Sequence, residues 1–357
     1  MSGIHQFVPM LHRGDAVGRH TLRLRDLFVA RGIASRIYVE MVDPATADET
    51  VAAVDYPAQC EPGDIVVYQF ATASAMAPWL AARPETLVVN YHNITPPELF
   101  AAWDNHLALG QLRAQSELRL LAPRAALAVA DSAYNKEHLD AAGFARSAVV
   151  PPSAALASDL LCAQARGSAD SARGAVRGTR WLSVGRVAPN KAVHDTITAL
   201  LVARAHHDPE ATLLIVGKPA VASYADALRR YVADLGLQGA VTFAGHAGDT
   251  TVAAAYAQAD VLVVMSEHEG FCVPVTEAMT VGLPVVAYAQ GALPEILGQG
   301  GVLVDSKNPY LVAGTIAALL ADPARCDALA AAGHEQLAAL DLATAGTRLA
   351  DLVCALA

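Results

Sequence analysis

Short apolar runs rich in Val, Leu and Ile alternate along this chain with longer stretches in which apolar positions recur every three or four residues. In the first half the runs lie at 64–68, 86–90, 128–130 and 148–150, and helical patterns cover 21–31 and 109–121. In the second half they lie at 181–184, 213–216, 241–243, 261–264 and 284–288, with helical patterns over 192–205 and 224–235. Runs that are apolar throughout, rather than at every second position, describe strands buried on both faces. Such strands alternating with helices predict parallel sheets with helices on either side. The fold class expected is α/β, with two doubly wound, Rossmann-like domains in tandem.

Residues 165–178 are rich in Gly, Ser, Ala and Arg and carry no apolar period, which is linker composition. The expected organisation is an N-terminal domain over 1–165, a linker over 166–179 and a C-terminal domain over 180–340. A last helix within 341–357 is expected to pack back on the N-terminal domain. Ligands of doubly wound sheets sit outside the strand C-terminal ends, so the cleft between the halves is the expected site.

Composition narrows the class. With 54% hydrophobic and 17% charged residues the chain is no disordered segment. A net charge of -10 argues against a nucleic-acid partner, whose phosphates need a basic surface. The longest apolar runs fall short of the ~18–20 residues that cross a bilayer. The start of the sequence has no basic segment followed by an apolar one, so a cytoplasmic location is expected. The five cysteines form no CxxC pair, which predicts a reducing compartment and no zinc cluster.

Candidate chemistry gathers at the ends of the runs. Glu269-Gly270-Phe271-Cys272-Val273-Pro274-Val275-Thr276-Glu277 follows the run 261–264 and so begins at a strand C-terminal end. Gly270 permits a sharp turn, and Pro274 suits the first turn of a helix. The amides of residues 271–275 then point out of a helix N-terminus, a natural phosphate site. Glu269 in the loop and Glu277 one turn inside the helix both reach a ligand held there. Carboxylates repel phosphate, so their expected targets are hydroxyls of a sugar and a ribose. The competing reading is an acidic helix cap.

Gly185-Arg186-Val187-Ala188-Pro189-Asn190-Lys191 follows the run 181–184. Arg186 and Lys191, brought together by the Pro-Asn turn, can neutralise a diphosphate and stabilise it as a leaving group. Two solvated loop charges are the alternative. Gly217 and Lys218 end the run 213–216, where a glycine lets backbone approach a ligand, and Gly245 ends the run 241–243. In the first half, Gly14 and Asp15 precede the first long helix and can bring backbone amides to an anion or an acceptor. His92 follows the run 86–90 at a strand end; it is either a site residue or a satisfied structural histidine.

Gly185-Arg186-x4-Lys191 followed by Glu269-Gly270-Phe271-x2-Pro274-x2-Glu277 resembles the retaining glycosyltransferases of family four, whose Glu-x7-Glu spacing is a signature. The resemblance runs over most of the chain. The segments around Gly14-Asp15, His92, Lys191 and Glu269 look like bacterial polysaccharide and antigen assembly enzymes, several of them mannosyltransferases. It implies the GT-B fold of two facing Rossmann-like domains, an acceptor-side N-terminal domain and a nucleotide-sugar-binding C-terminal domain. It implies that Arg186 and Lys191 bind the donor diphosphate, Glu269 the donor-sugar hydroxyls and Glu277 the ribose. The backbone at Phe271, Cys272 and Val273 would lie near sugar and phosphate, His92 near the reaction centre and Gly14-Asp15 in the N-domain loop. This chain departs from the family at Cys272-Val273, often Gly-Leu, at Gly217-Lys218-Pro219, often Gly-x-Gly, and at Gly14-Asp15, often Gly-Gly.

The expected reaction is therefore hexose transfer from a nucleotide-diphosphate sugar to an acceptor hydroxyl with retention, with no metal and no cofactor beyond the donor itself. GDP-mannose leads and a UDP-hexose is the rival. The acceptor class is a glycan, a lipid-linked or a small-molecule hydroxyl. Arg19, Arg23, Arg25 and Arg31 on one helix and Arg113, Arg119 and Arg124 on another would allow peripheral contact with the inner membrane face; solvated helix faces are the alternative. The competing functions are a nucleotide-sugar epimerase of the same architecture and a non-catalytic sugar-binding protein.

Overall fold

The computed structural model describes residues 3–156, 160–164 and 178–357. Seven strands of the first half, β1 (Ile4–Val8), β2 (Ile37–Val39), β3 (Thr50–Ala52), β4 (Ile65–Phe70), β5 (Thr86–Tyr91), β6 (Ala125–Ala130) and β7 (Ser147–Val149), form one parallel sheet in the order β3-β2-β1-β4-β5-β6-β7. Six strands of the second half, β8 (Arg180–Val184), β9 (Thr212–Val216), β10 (Val241–Gly245), β11 (Val261–Val264), β12 (Val285–Tyr288) and β13 (Val302–Val304), form another in the order β10-β9-β8-β11-β12-β13. Both are doubly wound: the chain fills one side outward from the first strand, then returns to fill the other. The central strands β4 and β11 are buried at every position, as the unbroken apolar runs require.

The chain divides into two compact units. Met1–Glu98, His106–Ala154 and Asp341–Ala357 make the first; Leu99–Asn105 and Ala155–Leu340 make the second. The division falls after Ala154, ahead of the composition-based boundary at 165, and residues 166–177 of the expected linker lie outside the described residues. Leu99–Asn105 was expected with the N-terminal domain and instead joins the second unit. The Trp103 ring stands edge-on to Tyr224 at 5.0 Å, and Ser223 Oγ donates to the Trp103 carbonyl at 2.9 Å. In the first unit the helix Leu342–Cys354 places Leu349 and Val353 in one cluster with Ile4, Leu24 and Phe28.

Most of the arginines read as possible lipid contacts have internal partners. Arg19 Nε donates to the Ala154 carbonyl at 2.7 Å and Arg23 to the Ser153 carbonyl at 3.1 Å. Arg25 pairs with Glu49 and Asp26, Arg31 with Asp351 and Arg113 with Glu117, while Arg124 donates to the carbonyls of Ala81 and Arg83. Among the described residues, no helix is long and apolar enough to cross a membrane.

Candidate functional site

In the second sheet the strand order reverses between β8 and β11, so a crevice opens outside their C-terminal ends. The loop after β8 is zipped to the loop after β9. Gly185 N donates to Val216 O at 2.9 Å, and Val187 N to Lys218 O at 3.0 Å. Gly217 has φ +156, and a Cβ there would stand 1.8 Å from the Gly185 carbonyl oxygen, so only glycine fits. Gly217 N also donates to Gly245 O at 2.8 Å, and Gly245 has φ +68. The three glycines fix the backbone of this strand-end row.

The loop after β11 is anchored from two sides. Glu267 N donates to Asn190 O at 2.8 Å, and Asn190 Nδ2 to the His268 carbonyl at 3.3 Å. Ala292 N donates to Glu269 O at 3.0 Å, while Gly291, with φ +62, would place a Cβ 2.6 Å from that same oxygen. These contacts hold Glu269 so that its Oε1 accepts from Lys191 Nζ at 2.6 Å. The Glu269 side chain is 7% exposed and that of Lys191 24%. Gly185, Arg186, Lys191, Ser266 and Glu269 line one cavity. Arg186 is exposed and forms no ion pair among the described residues.

The helix Val273–Thr280 begins beside this cavity. Cys272 adopts φ 71, ψ 69, a left-handed conformation that suits glycine better, and its thiol is buried. Burial, then the Glu269 carboxylate, pushes that thiol well above its ordinary pKa. The amide supply is smaller than the sequence suggested. Pro274 has no N–H, and Val275 N donates to Cys272 O at 3.0 Å. That leaves Phe271, Cys272 and Val273, ahead of the first intrahelical bonds, as donors to a ligand. Glu277 is 2% exposed, and both its oxygens are occupied: Oε1 accepts from Leu156 N and Oε2 from Tyr256 Oη, each at 2.8 Å. A ribose hydroxyl would have to share or replace one of these donors. Lys218 and His246 are exposed at the ends of β9 and β10.

In the first unit, His92 lies in a buried polar network rather than open at a strand end. Its Nδ1 meets Asp131 Oδ2 at 3.0 Å and its Nε2 meets Gln69 Oε1 at 2.7 Å. Gln69 Nε2 donates to Gln6 Oε1 at 2.7 Å, and Gln6 Nε2 to the Thr21 carbonyl at 2.9 Å. Asn90 Nδ2 donates to Gln69 Oε1 at 2.9 Å and lies 2.8 Å from His20 Nε2, while Ser153 N reaches His20 Nδ1 at 3.0 Å. The His92 side chain is 4% exposed, so substrate contact through either ring nitrogen requires one of these bonds to open. Asp15 caps the helix Ala16–Ala30, its carboxylate accepting from Gly18 N at 2.7 Å. Gly14 is exposed in the turn before it; the glycine that packing requires is Gly18, whose Cβ would lie 1.7 Å from His12 O.

The structure thus brings together Arg186, Lys191, Glu269 and the amides of Phe271, Cys272 and Val273, with Gly185, Gly217, Lys218 and Gly245 along the same strand-end row. His92, Gly14 and Asp15 belong to the other unit. The positioning residues Asn190 and Gly291 were not read as site residues. Asn190 was visible as the turn residue beside Lys191, whereas Gly291 carries no local signal. Among the described residues no group of three or more His, Cys, Asp or Glu is placed to hold a metal ion.

Residues 176–336 match the family described as glycosyl transferases group 1. Over 163 residues the chain is 32% identical to a GDP-mannose-dependent alpha-(1-6)-phosphatidylinositol monomannoside mannosyltransferase of Mycobacterium tuberculosis, covering 43% of this chain and 41% of that protein. Over 178 residues it is 33% identical to a D-inositol 3-phosphate glycosyltransferase of Thermomonospora curvata, covering 46% and 41%. The matched stretches thus span about two fifths of these relatives' length. The whole chain is similar in structure to sucrose-phosphate synthase of Thermosynechococcus elongatus, with TM-score 0.79, 20% identity and coverage of 100% and 99%. Anabaena HepE in complex with UDP and glucose aligns with TM-score 0.75 and 19% identity over 99% and 100% of the two chains. Residues 176–336 are therefore similar to the glycosyl transferases group 1 domain, and the chain as a whole has the fold of its GT-B structural neighbours.

Proposed function

We propose that this protein moves a hexose from a nucleotide-diphosphate sugar to an acceptor hydroxyl with retention at the anomeric carbon, and that the donor is GDP-mannose. The observation that carries the reading is the convergence of Arg186, Lys191 and Glu269 on one cavity at the β8/β11 switch point, beside the amides of Phe271, Cys272 and Val273. Two cations and a helix N-terminus suit a diphosphate, and a buried, fixed carboxylate suits sugar hydroxyls. One relative that names its donor, the mannosyltransferase of M. tuberculosis, names GDP-mannose.

In the reaction the bond from the anomeric carbon to the diphosphate oxygen breaks, and the acceptor oxygen bonds to the same carbon from the same face. The acceptor proton passes to the departing diphosphate oxygen, and the nucleoside diphosphate leaves. The task left to the protein is to stabilise charge growing on that leaving group, which Arg186, Lys191 and the first-turn amides perform. The donor is a substrate, and neither metal nor organic cofactor enters this reading. The acceptor is a hydroxyl on a glycan, a lipid-linked or a small molecule.

The test is calorimetric titration with GDP and UDP, paired with turnover of GDP-mannose. GDP should bind at least tenfold more tightly than UDP, as a pocket with acceptors for guanine's exocyclic amine would leave them unpaired against uracil. Arg186→Ala should lower turnover by ~10²-fold in a folded protein, as removal of one charge-stabilising donor does elsewhere. Tighter UDP binding overturns the mannose assignment alone. Normal turnover in Arg186→Ala overturns the site.

A further inference from the structure

Lys307 lies beyond β13, in the turn Asp305-Ser306-Lys307-Asn308 that leads into the helix Pro309–Leu320. Its side chain is 17% exposed, so the ammonium has given up most of its water and needs partners in the protein. Nζ donates to Asp195 Oδ2 and to Glu267 Oε1, each at 2.9 Å, and stands over the Tyr288 ring, 5.0 Å from its centroid.

Each of these partners adjoins a piece of the candidate donor site. Asp195 is in the first turn of the helix Val193–His206, which starts just after Lys191. Glu267 closely precedes Glu269, and its N donates to Asn190 O. Tyr288 ends β12, shortly before Gly291, the glycine that lies against the Glu269 carbonyl. One ammonium thus joins the three segments that carry Lys191, Glu269 and Gly291. Among the described residues, the lining of the cavity does not include Lys307. Its charge is met by two carboxylates, so its effect on a ligand passes through the segments it joins. An isolated exposed ion pair adds little stability, but a part-buried network on two loops restricts where their side chains can stand.

We propose that Lys307 is a positioning residue of the donor site, holding the loop 266–269 and the start of the helix Val193–His206 so that Lys191 meets Glu269. This rests on the donor reading above and extends it to a residue outside the cavity. Precise placement matters because a shift of about 1 Å in a reacting group can cost ~10²-fold in rate.

The experiment compares the full chain with Lys307→Met, which keeps the stem and removes the charge, and Lys307→Arg, which keeps the charge. Both are made in the parent and in Glu269→Gln, and turnover is measured with GDP-mannose or UDP-glucose, whichever the parent uses. Lys307→Met should lower turnover roughly tenfold, since the loops keep their other anchors, and Lys307→Arg should restore it. In the Glu269→Gln background Lys307→Met should lower turnover by less than about twofold, because the group it positions is already gone. Amide exchange at Glu267 and Ala292, which donate to Asn190 O and Glu269 O, should quicken in Lys307→Met while β8 and β11 keep their protection. Parent-like turnover in Lys307→Met overturns the assignment, and so does the same loss in both backgrounds. A lower melting temperature with unchanged exchange at the two amides also overturns it, since that is the mark of a prop that does not hold these loops. If the parent turns over neither sugar, the donor reading falls, and exchange at the two amides still decides whether Lys307 holds the loops.

Discussion

Lys191 and Glu269 pair across 2.6 Å before any ligand arrives. A phosphate that draws on Lys191 therefore does so against the pull of the Glu269 carboxylate. Glu269→Gln keeps the shape and a hydrogen-bonding side chain, removes the opposing charge and frees Lys191. The variant should therefore bind bare GDP or UDP as tightly as the parent or more so, while its turnover with the sugar donor falls by ~10²-fold. Calorimetry and turnover on one preparation check both halves; weaker nucleotide binding would place Glu269 on the nucleotide instead of the sugar. The residues legible in the sequence were those acting through a charged side chain at a strand end: Arg186, Lys191 and Glu269. Asn190 and Gly291 act through backbone shape across loops distant in sequence, and no local pattern records such a contact. Glu277 was legible as a carboxylate on the helix, yet its partners Leu156 N and Tyr256 Oη come from segments whose proximity only the fold creates.

The helix Ala16–Ala30 illustrates what sequence reveals of an element and what it conceals. Its apolar period was visible from residue 21, but its first turn, Ala16 to His20, was not, because Gly18 and polar neighbours interrupt the pattern. The cap supplies the missing boundary: Asp15 is extended, at φ -110, and its carboxylate holds Gly18 N. Asp15→Ala should lower unfolding stability by about 1 kcal/mol, and Asp15→Asn by little. Shifts in denaturant midpoint at constant slope measure this; equal losses in the two variants would mean that the charge, not the cap, was at work. The strands follow the same logic. β4, β5 and β11 were legible as unbroken apolar runs. β1, Ile4-His5-Gln6-Phe7-Val8, was not, because two polar residues lie in a strand buried at all five positions. Gln6 is satisfied by Thr21 and Gln69, and His5 by Arg36 N and Asp64. Buried polar residues with partners break the hydrophobic signal without breaking the strand.

Across the whole molecule, the two units differ in how they meet acid. His20, 2% exposed, has its pKa pushed well below the ordinary 6.5 by burial, with the charges of His92 and Arg23 acting in the same direction. Burial also lowers His5, against the opposing pull of Asp64, and lowers His138. All three lie in the first unit. A histidine held neutral in the folded state binds its proton only after unfolding. Between its folded pKa and ~6.5 the unfolded chain holds more protons, so stability falls as pH falls through that window and is unaffected above it. For the fully buried His20 the loss is no more than about 1.4 kcal/mol per pH unit below 6.5. In the second unit the resolved carboxylate shift, at Asp208, is downward: burial raises it, but hydrogen bonds from Thr179 and Glu210 and the charge of Arg204 together outweigh burial, so its contribution is lost only below the usual carboxylate range. Lowering pH from 7.5 to 5.5 should therefore weaken the first unit selectively. Hydrogen exchange should show β1, β4 and β5 losing protection while β8, β9 and β11 keep theirs, and His20→Gln should flatten the pH dependence of the first set. Parallel loss in both units, or an unchanged slope in His20→Gln, would assign the acid response to groups other than the buried histidines.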